Sequence, residues 1–384
     1  MVDKLHFIVF FLFLFLALSN EKATKKQKNK VDSLSAILPH LMENERSRII
    51  NLTNRHSAGR YMMNLYQNID VNNDNLQGFN VSNVTTTKQV ENADTIMGIL
   101  NDDSDAKPVN SKMRIKFNFT AKIRRDESAV EVAELHVYKD QHKRPWMANV
   151  TFLVELSVIT RSGNAVKLSS NPANYSIQGW ETRWIVFDVT DTVDKWIVSP
   201  GNNFGLELLV TMQREKLPVP LNPAEIGFID FKGPLEKRPF IASFFKGDPT
   251  DRKVIIHATS RKRRSVFSQA NLKYGNRNIR SQCKKRFLYV DFSDLRWQNW
   301  IIAPAGYETS YCAGACTYGS YDEVNATNHA IIQSVVNIFN ADSAPAPCCA
   351  PTQLKAISVL YIDDKENIVL KKYQNMAVKS CGCH

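Results

Sequence analysis

Cysteine is absent from residues 20–282 of this 384-residue chain, and all seven cysteines lie between Cys283 and Cys383. A long segment without thiols must be held together by a hydrophobic core, whereas a short cysteine-rich segment of an extracellular protein is held by disulfide bonds. The asymmetry therefore predicts two domains that are stabilised in different ways. Without cysteine the first domain cannot form disulfide crosslinks, so we expect it to bind any partner noncovalently.

Long apolar runs are scarce, and the one that stands out, FIVFFLFLFLAL, covers residues 7–18. It is too short to cross a bilayer comfortably, which takes about 20 residues, and it suits the core of a signal peptide. Ala17 and Ser19 are small residues at the third and the first position before a signal-peptidase cut after Ser19. We therefore expect a secreted protein without a membrane span. A membrane anchor or a buried helix is the alternative.

The sequence also lacks a metal-ligand cluster, a phosphate-binding loop and a nucleophile motif. We predict a protein that is not an enzyme and holds no metal or cofactor. A hydrolase in the first domain is an alternative, although no paired acid and base suggests one there. The net charge of +11 is typical of nucleic-acid-binding proteins. Secretion argues against that partner and leaves acidic glycans or matrix as the polyanions.

Asn-x-Ser/Thr sequons without proline are frequent in this chain. A single sequon is weak evidence, but seven behind a signal peptide predict an exposed, glycosylated surface. The seven asparagines are Asn51, Asn80, Asn83, Asn118, Asn149, Asn174 and Asn325.

Four consecutive basic residues, in the sequence RKRRS at 261–265, mark the boundary between the two regions. In a secreted chain this is the pattern that subtilisin-like proprotein convertases cut. Their acidic clefts need Arg261 and Arg264 at that spacing, and Arg263 improves the fit. We predict cleavage between Arg264 and Ser265. A nuclear signal or a glycan-binding patch is the alternative for such a run.

Cleavage there divides the chain into four parts. We expect a signal peptide at 1–19, a prodomain at 20–264, a flexible basic tail at 265–282 and a cysteine-rich domain at 283–384. No acidic residue occurs between Lys273 and Arg286, so we expect the tail to bind heparan sulfate or matrix. A merely solvated tail is the alternative.

The prodomain is predicted to be an α+β domain with a β-rich body. The segment HSAGRYMMNLYQNI has apolar residues at helical spacing, and KMRIKFNFT alternates as a half-buried strand does. AVEVAELHVY, NVTFLVELSVIT, RWIVFDVT and FGLELLVTM add further strands. The predicted helix stripe is Met62, Met63, Tyr66 and Ile69, and the predicted strand face is Met113, Ile115, Phe117 and Phe119.

The cysteine-rich domain contains a segment of helical spacing, NHAIIQSVVNIFN at Asn328–Asn340, that has no Asp, Glu, Lys or Arg. Its apolar arc is too wide to be covered from one side. A domain of about 100 residues cannot readily supply more cover, so a second chain is implied. RFLYVDF reads as a strand, and LKAISVLYID and NIVLKKY read as a hairpin around Asp363–Glu366.

The cysteines occur in the patterns CAGAC, CC and CGC after an isolated Cys283. Zinc and cysteine catalysis are poor alternatives, because thiolates outside the cell face oxidation and the spacings do not fit. Seven cysteines leave one for an interchain disulfide. Cys348 and Cys349 are adjacent and should have different partners. If CAGAC joined CGC by both ends, Gly314 and Gly382 would keep the resulting ring open for a third bridge.

This cysteine pattern resembles the cystine-knot domain of the transforming growth factor-β superfamily. LRWQNWIIAPAGY, NATNHAIIQ, PCCAPTQLKAISVLYID and NIVLKKYQNMAVKSCGCH are similar to bone morphogenetic proteins of the osteogenic-protein and glass-bottom-boat subgroup. RYMMNLY, ADTIMGIL, FDVTDTVDKWIVSPGNNFGLEL and RPFIASFFK resemble their prodomains more weakly. The resemblance implies a small, β-rich growth-factor domain at 283–384, with two β-fingers and one helix.

The resemblance further implies disulfide bonds Cys283–Cys349, Cys312–Cys381 and Cys316–Cys383, with Cys348 bonded to a second chain. A homodimer, or a heterodimer with a related ligand, would assemble type I and type II receptor serine/threonine kinases and bind its own prodomain noncovalently. An antagonist that sequesters such ligands is the alternative function.

The resemblance also assigns receptor surfaces, for which ordinary core and finger packing is the alternative. The concave type I surface would comprise Trp297, Trp300, Ile331 and Val335. The convex type II surface would comprise Ala303, Pro304, Ser358, Leu360 and Leu370. One departure concerns the type I surface: Tyr318 and Gly319 replace the phenylalanine and proline that are usual in the family before the helix.

Overall fold

The computed structural model describes residues 53–69, 82, 84–100, 111–117, 119, 129–141, 147–168, 174–212, 219–246, 282–295, 297–316, 325–363 and 366–384. These residues belong to two compact units. The first comprises Met1–Asp248 with Arg296–Ala303 and Val359–Lys371, and the second comprises Pro249–Leu295, Pro304–Ser358 and Lys372–His384. The predicted signal peptide, convertase site, tail residues up to 281 and the departing loop at 318–319 lie outside the described residues.

Four helices and fifteen strands have described bounds and are numbered in chain order. The helices are α1 Ser57–Asn68, α2 Thr87–Asn92, α3 Thr190–Val198 and α4 Asn328–Phe339. The strands are β1 Thr95–Leu100, β2 Lys112–Ile115, β3 Ala129–Lys139, β4 Thr151–Ile159, β5 Ala165–Lys167, β6 Asn174–Gln178, β7 Arg183–Asp188, β8 Leu206–Met212, β9 Val219–Leu221, β10 Phe240–Lys246, β11 Lys284–Asp291, β12 Ile301–Ala303, β13 Gly306–Ala313, β14 Cys349–Ile362 and β15 Ile368–Cys383.

The first unit is strand-rich. One sheet has the order β12-β14-β15-β1-β10-β3-β7, and another has the order β2-β8-β4-β5, with β6 added to β4 and β9 to β8. Side chains of both sheets share one apolar core, in which Trp196 of α3 also lies. Successive side chains of a strand point to opposite faces of the sheet, so alternate residues of β2 and β4 face this core. The period-two pattern predicted for Met113 to Phe119 is confirmed, and its four apolar residues are buried.

The other face of the seven-stranded sheet is covered by α1 and α2. The imidazole of His56 accepts a hydrogen bond from the amide of Ala58 and thereby caps the N-terminus of α1. A helix is confirmed here, but its buried side differs from the predicted stripe. Ala58, Met62 and Leu65 are fully buried, whereas the predicted Met63, Tyr66 and Ile69 pack at the margin. Periodicity is judged from large apolar side chains, so a small buried residue such as Ala58 gives no signal.

Two central strands were not predicted. β1 and β10 are buried along nearly their whole length, so they show no alternation of apolar and polar residues. In β10, Ile241 and Phe245 face the core between the sheets, while Phe240 and Phe244 face α1 and α2. The strands predicted at β3, β4, β7 and β8 are confirmed.

The second unit contains the two-stranded sheet β11–β13, with Lys284 opposite Ala313 and Asp291 opposite Gly306. It also contains helix α4, which confirms the predicted helix at Asn328–Asn340 to within one residue. Thr327 caps α4 by accepting from the amide of Ala330. Among the described helices, none has both the length and the apolar character needed to cross a membrane.

Candidate functional site

Three disulfide bonds lie in the second unit, and they join the pairs that the resemblance implies. Their Cα–Cα distances are 5.4 Å for Cys283–Cys349, 5.7 Å for Cys312–Cys381 and 5.9 Å for Cys316–Cys383. The sulfurs of Cys283, Cys316 and Cys383 lie within 4.8 Å of one another. Each is already bonded in a disulfide, so this cluster offers no thiolate for a metal.

The chain at Gln282 and Cys283 passes directly against Gly314, in the middle of CAGAC. Gly314 has φ +134°, and a Cβ there would lie 2.2 Å from the carbonyl oxygen of Gln282 and 2.7 Å from the amide nitrogen of Cys283. The Cys283 amide also donates to the carbonyl of Ala315 at 3.0 Å. Glycine is required at 314 for both the backbone conformation and this close approach.

The C-terminal residues are held by the backbone and do not fray. The amide of Cys348 donates to the carbonyl of His384 at 2.8 Å, and the amide of His384 donates back at 3.0 Å. The thiol of Cys348 is exposed and forms no disulfide in this single chain. Its neighbour Cys349 is bonded to Cys283, so the two adjacent cysteines have different bonding states.

Within one chain, only a narrow strip of the surface of helix α4 is covered by other residues. Ala330 and Ser334 are buried, and Ile331 and Val335 are half-buried. Much of the predicted apolar arc is exposed instead, in the side chains of Ile332 (64%), Val336 (39%), Ile338 (62%) and Phe339 (85%). A contiguous exposed apolar surface of this kind marks an interaction site.

The two tryptophans occupy a turn in the first unit. Their ring centroids are 5.8 Å apart, and the ring of Trp300 meets the ring of Tyr361 edge-on at 5.6 Å. The amide of Ile362 donates to the carbonyl of Trp300 at 3.0 Å. Trp300 is therefore fixed against strand β14, while Trp297 is 41% exposed.

Three of the five residues assigned to the convex surface lie in or against the apolar cluster that also contains residues of α1. Leu360 and Leu370 are at most 3% exposed, and Ala303 is half-buried against the same cluster. Pro304 and Ser358, which belong to the second unit, are half-buried. The apolar residues of α1 that share this cluster are Ala58, Met62 and Leu65.

Beneath α1, a strand of the first 100 residues, β1, pairs directly with β15 near the end of the sequence. Thr95 of β1 lies opposite Lys371 of β15, and Gly98 lies opposite Ile368, in antiparallel register. A Cβ at Gly98 would lie 2.9 Å from Cγ of Met62, so glycine lets the helix approach the sheet. The contiguous apolar run TIMGIL is the one sequence feature that could have indicated strand β1. Nothing in the sequence indicates that this strand pairs with β15.

Comparison with known families identifies both parts of the chain. Residues 282–383 match the transforming growth factor beta like domain, and residues 19–244 match the TGF-beta propeptide. The chain belongs to the transforming growth factor-β family. It is a growth-factor precursor of the bone morphogenetic protein type, and members of this family are signalling ligands and not enzymes.

The curated relatives support the same assignment. The chain is 33% identical to Protein DVR-1 homolog of Strongylocentrotus purpuratus over 77% of its own length and 66% of the relative's. It is 34% identical to Protein 60A of Drosophila virilis over 66% and 61% of the two chains. It is 33% identical to Bone morphogenetic protein 8A of Mus musculus over 67% and 66%. The aligned region spans slightly less than two thirds of these relatives.

Within this growth-factor precursor, three of the predicted glycosylation sites are described. Asn149, Asn174 and Asn325 are all exposed, and Asn174 begins strand β6. Asn325 has φ +46° in the turn before α4. The remaining four asparagines, Asn51, Asn80, Asn83 and Asn118, lie outside the described residues.

Proposed function

We propose that this chain is the precursor of a secreted ligand whose disulfide-linked dimer brings type I and type II receptor serine/threonine kinases together. The observation that carries the proposal is the combination, in one small domain, of three closed disulfides, an exposed free Cys348 and a helix with exposed apolar side chains. The propeptide match supports a precursor that is processed.

The fold of the mature domain is proposed to be a cystine knot. CAGAC and CGC, bonded at both ends, close a ring of eight residues, five from the first segment and three from the second. Two contacts support passage of Cys283–Cys349 through this ring: the sulfur of Cys283 lies beside the Cys316–Cys383 bond, and Gln282 lies against Gly314. Such a knot replaces the core that a domain of this size lacks.

A second copy of the same chain is proposed to cover α4 and to bond through Cys348. Each large apolar side chain that is removed from water contributes about 1.5–3 kcal/mol, and α4 exposes four of them. The absence of charge along the helix avoids burying an unpaired ion at the interface. A related chain with the same features would serve equally well, so both homodimers and heterodimers fit this surface.

Receptor binding is proposed on the two surfaces that the family resemblance assigns. Trp297 and Trp300 would anchor the type I receptor with Ile331 and Val335, because tryptophan is enriched among the residues that dominate interface energies. Ala303, Pro304, Ser358, Leu360 and Leu370 would form the type II surface. The exposure of Trp297 in the uncut chain supports the first assignment.

The prodomain is proposed to hold the growth factor noncovalently and to cover the type II surface. The burial of Leu360 and Leu370 in one apolar cluster with prodomain residues, and the pairing of β1 with β15, support this. Cleavage between Arg264 and Ser265 would then leave a complex that still has to dissociate. N-terminal sequencing of the secreted mature chain tests that cut, and any start other than Ser265 would contradict it.

Secretion, N-glycosylation and binding to sulfated glycans complete the proposal. The exposed positions of Asn149, Asn174 and Asn325 suit glycosylation. Lys284 and Lys285 at the start of β11 are also exposed, and together with the basic tail they would attract heparan sulfate or matrix.

Replacement of Trp297 by alanine tests the receptor assignment with the least disturbance of the fold, since this indole is the more exposed of the pair. Truncation of an interface anchor costs about 2 kcal/mol or more, which is roughly thirtyfold in affinity. We expect the mature Trp297→Ala dimer to lose type I binding by about that factor and to keep type II binding. The measurement is binding of each receptor class to immobilised dimer.

Trp300→Ala serves as the companion variant, because Trp300 also supports Tyr361. It should weaken type I binding at least as much. Equal losses for both receptor classes in Trp297→Ala would indicate a folding defect at this turn, and unchanged binding of both classes would refute the type I assignment.

A further inference from the structure

The turn between β6 and β7 presents an exposed tryptophan. Trp180 is 57% exposed, although tryptophan is highly buried on average. The amide of Glu181 donates to the carbonyl of Gln178 at 3.2 Å and closes the turn. One carboxylate oxygen of Glu181 accepts from the amide of Gln178 at 2.7 Å, and the other pairs with Arg183 at 2.7 Å. The indole is therefore attached to a turn that is bonded through both its backbone and its side chains.

A buried ammonium group also holds this turn. Lys139 of β3 is fully buried, and its Nζ atom donates to the carbonyls of Gly179 and Glu181, each at 2.8 Å, and to that of Asp140 at 3.2 Å. A buried charge requires such partners, so the two carbonyls that flank Trp180 are fixed in place. An anchor on a preorganised backbone loses little conformational freedom when it binds. Trp180 therefore has the properties of a preformed binding surface.

The backbone beside Trp180 belongs to the predicted glycosylation sequon at 149–151. The amide of Trp180 donates to the carbonyl of Ala148 at 3.1 Å, and the amide of Gly179 donates to the carbonyl of Val150 at 3.0 Å. These two bonds continue the pairing of β4 with β6. They place Asn149, which lies between the two acceptors, next to Trp180, and both side chains are exposed. A sugar attached to Asn149 therefore begins within reach of the indole.

The two neighbouring turns approach each other closely. A Cβ at Gly179 would lie 2.0 Å from the carbonyl oxygen of Met147, so only glycine allows this contact. Met147 is itself buried in the core between the sheets, and its carbonyl accepts from the amide of Val150 at 3.1 Å. The relative positions of Asn149 and Trp180 are thus fixed by backbone contacts on both turns.

The chemistry of the two groups is complementary. The first sugar of an N-linked glycan is N-acetylglucosamine, and one face of its ring carries only C–H groups. The face of an aromatic ring has a negative quadrupole that attracts such weakly positive hydrogens, and stacking removes apolar area of both partners from water. Because the sugar is tethered to the adjacent residue, its effective concentration at the indole is high. A separate protein partner has no such advantage.

We propose that Trp180 binds the first N-acetylglucosamine of a glycan on Asn149, so that the sugar covers the indole. The exposed tryptophan then serves the carbohydrate of the prodomain itself and not a protein partner. The inference rests on the proposed N-glycosylation of Asn149, and it is independent of processing and of receptor binding.

Oxidation of Trp180 by hydroxyl radicals tests this cover on the full-length secreted chain. Mass spectrometry of glycopeptides first establishes that Asn149 carries a glycan. In Asn149→Gln, Trp180 should be oxidised about twofold faster, because a stacked sugar shields one of the two faces of the indole. An endoglycosidase that leaves a single N-acetylglucosamine on each site should preserve the slow rate, since the first sugar is sufficient.

Asn174→Gln is the matched control. Asn174 is also an exposed sequon asparagine of the same sheet, but it lies six residues before Trp180, which is roughly 20 Å at the rise of a strand. Its replacement should leave the oxidation of Trp180 unchanged. Equal acceleration by both variants, no acceleration by Asn149→Gln, or an Asn149 that carries no glycan would overturn the proposal.

The reciprocal variant measures the accessibility of the glycan. Trp180→Ala should expose the bond between the sugar and Asn149, so that peptide N-glycosidase removes the glycan from the native chain about threefold faster or more, as loss of an aromatic contact implies. The rate at Asn174 in the same molecules is the internal reference and should not change. An unchanged rate at Asn149, or an equal rise at both sites, would contradict the local contact. No receptor takes part in these measurements, so their failure would leave receptor assembly untouched, and failed receptor binding would leave this inference untouched.

Discussion

Replacement of Gly314 by alanine is expected to abolish accumulation of correctly bonded growth factor. The new Cβ would meet the backbone of Gln282 at 2.2 Å and of Cys283 at 2.7 Å, and backbone atoms cannot rotate away as a flexible side chain does. A residue other than glycine at φ +134° costs about 1–3 kcal/mol in addition. Cys283 is fixed by its bond to Cys349, so the overlap cannot be relieved without distorting the disulfide-bonded segments.

The consequence reaches all three disulfides. They close loops with sequence separations of 66, 69 and 67 residues, and the chain-entropy model assigns a loop of that size about 4 kcal/mol. The measurement is the yield of secreted growth factor together with mass-spectrometric mapping of its disulfides. We expect less than a tenth of the normal yield, because the overlap with the backbone of Gln282 and Cys283 prevents the chain from closing these disulfides in their normal arrangement.

Gly163→Ala is the matched control for this experiment. Gly163 also has a positive φ of +81°, but nothing lies within 4 Å of a Cβ built there. The Gly163→Ala variant therefore has the backbone strain of a positive φ but no steric overlap, and we expect it to reduce the yield only slightly. Normal yield and normal disulfides in Gly314→Ala would contradict the close approach of the Gln282 backbone to Gly314 in the CAGAC segment.

Replacement of Cys348 by serine is expected to remove the interchain crosslink completely. Cys348 is the cysteine left exposed and free, while the other six are bonded within the chain. On nonreducing gels the mature Cys348→Ser chain should run at monomer size, with its three internal disulfides intact. Because α4 still presents its apolar side chains, part of the sample should associate noncovalently in gel filtration.

Cys349→Ser is the informative comparison, since it leaves Cys283 without a partner. It should impair folding and secretion, and mispaired species should replace the clean monomer band. A disulfide-linked dimer that persists in Cys348→Ser, or one that disappears in a well-folded Cys349→Ser, would show that the interchain bond is assigned to the wrong cysteine.

The sequence predicted those elements whose pattern repeats locally. Met113, Ile115, Phe117 and Phe119 alternate because β2 and the residues after it have one face in the core, and α4 shows helical spacing over twelve residues. β1 and β10 escaped prediction because both of their faces are buried, which erases the alternation. Helix α3, with Trp196 in the core, escaped because its short segment follows directly on strand β7.

The arrangement around strand β15 could not be predicted for a different reason. Pairing of Thr95 with Lys371 and of Gly98 with Ile368 joins segments at opposite ends of the sequence, and local periodicity carries no information about such partners. The residues Leu360 and Leu370 were predicted as a surface from a resemblance that concerns the mature ligand. In the full-length chain they are buried in one apolar cluster with residues of α1, β1 and β10.

A signalling assay on the mature dimer tests receptor assembly most directly. The full-length chain is secreted and processed, the dimer beginning at Ser265 is separated from its prodomain, and transcription is recorded in cells with and without type I and type II receptor kinases. The uncut Arg261→Ala/Arg264→Ala precursor is assayed in parallel. We predict strong transcription from the dimer that requires both receptor classes, and little from the uncut precursor. A correctly bonded dimer that binds neither receptor class and activates no transcription would contradict the proposed function.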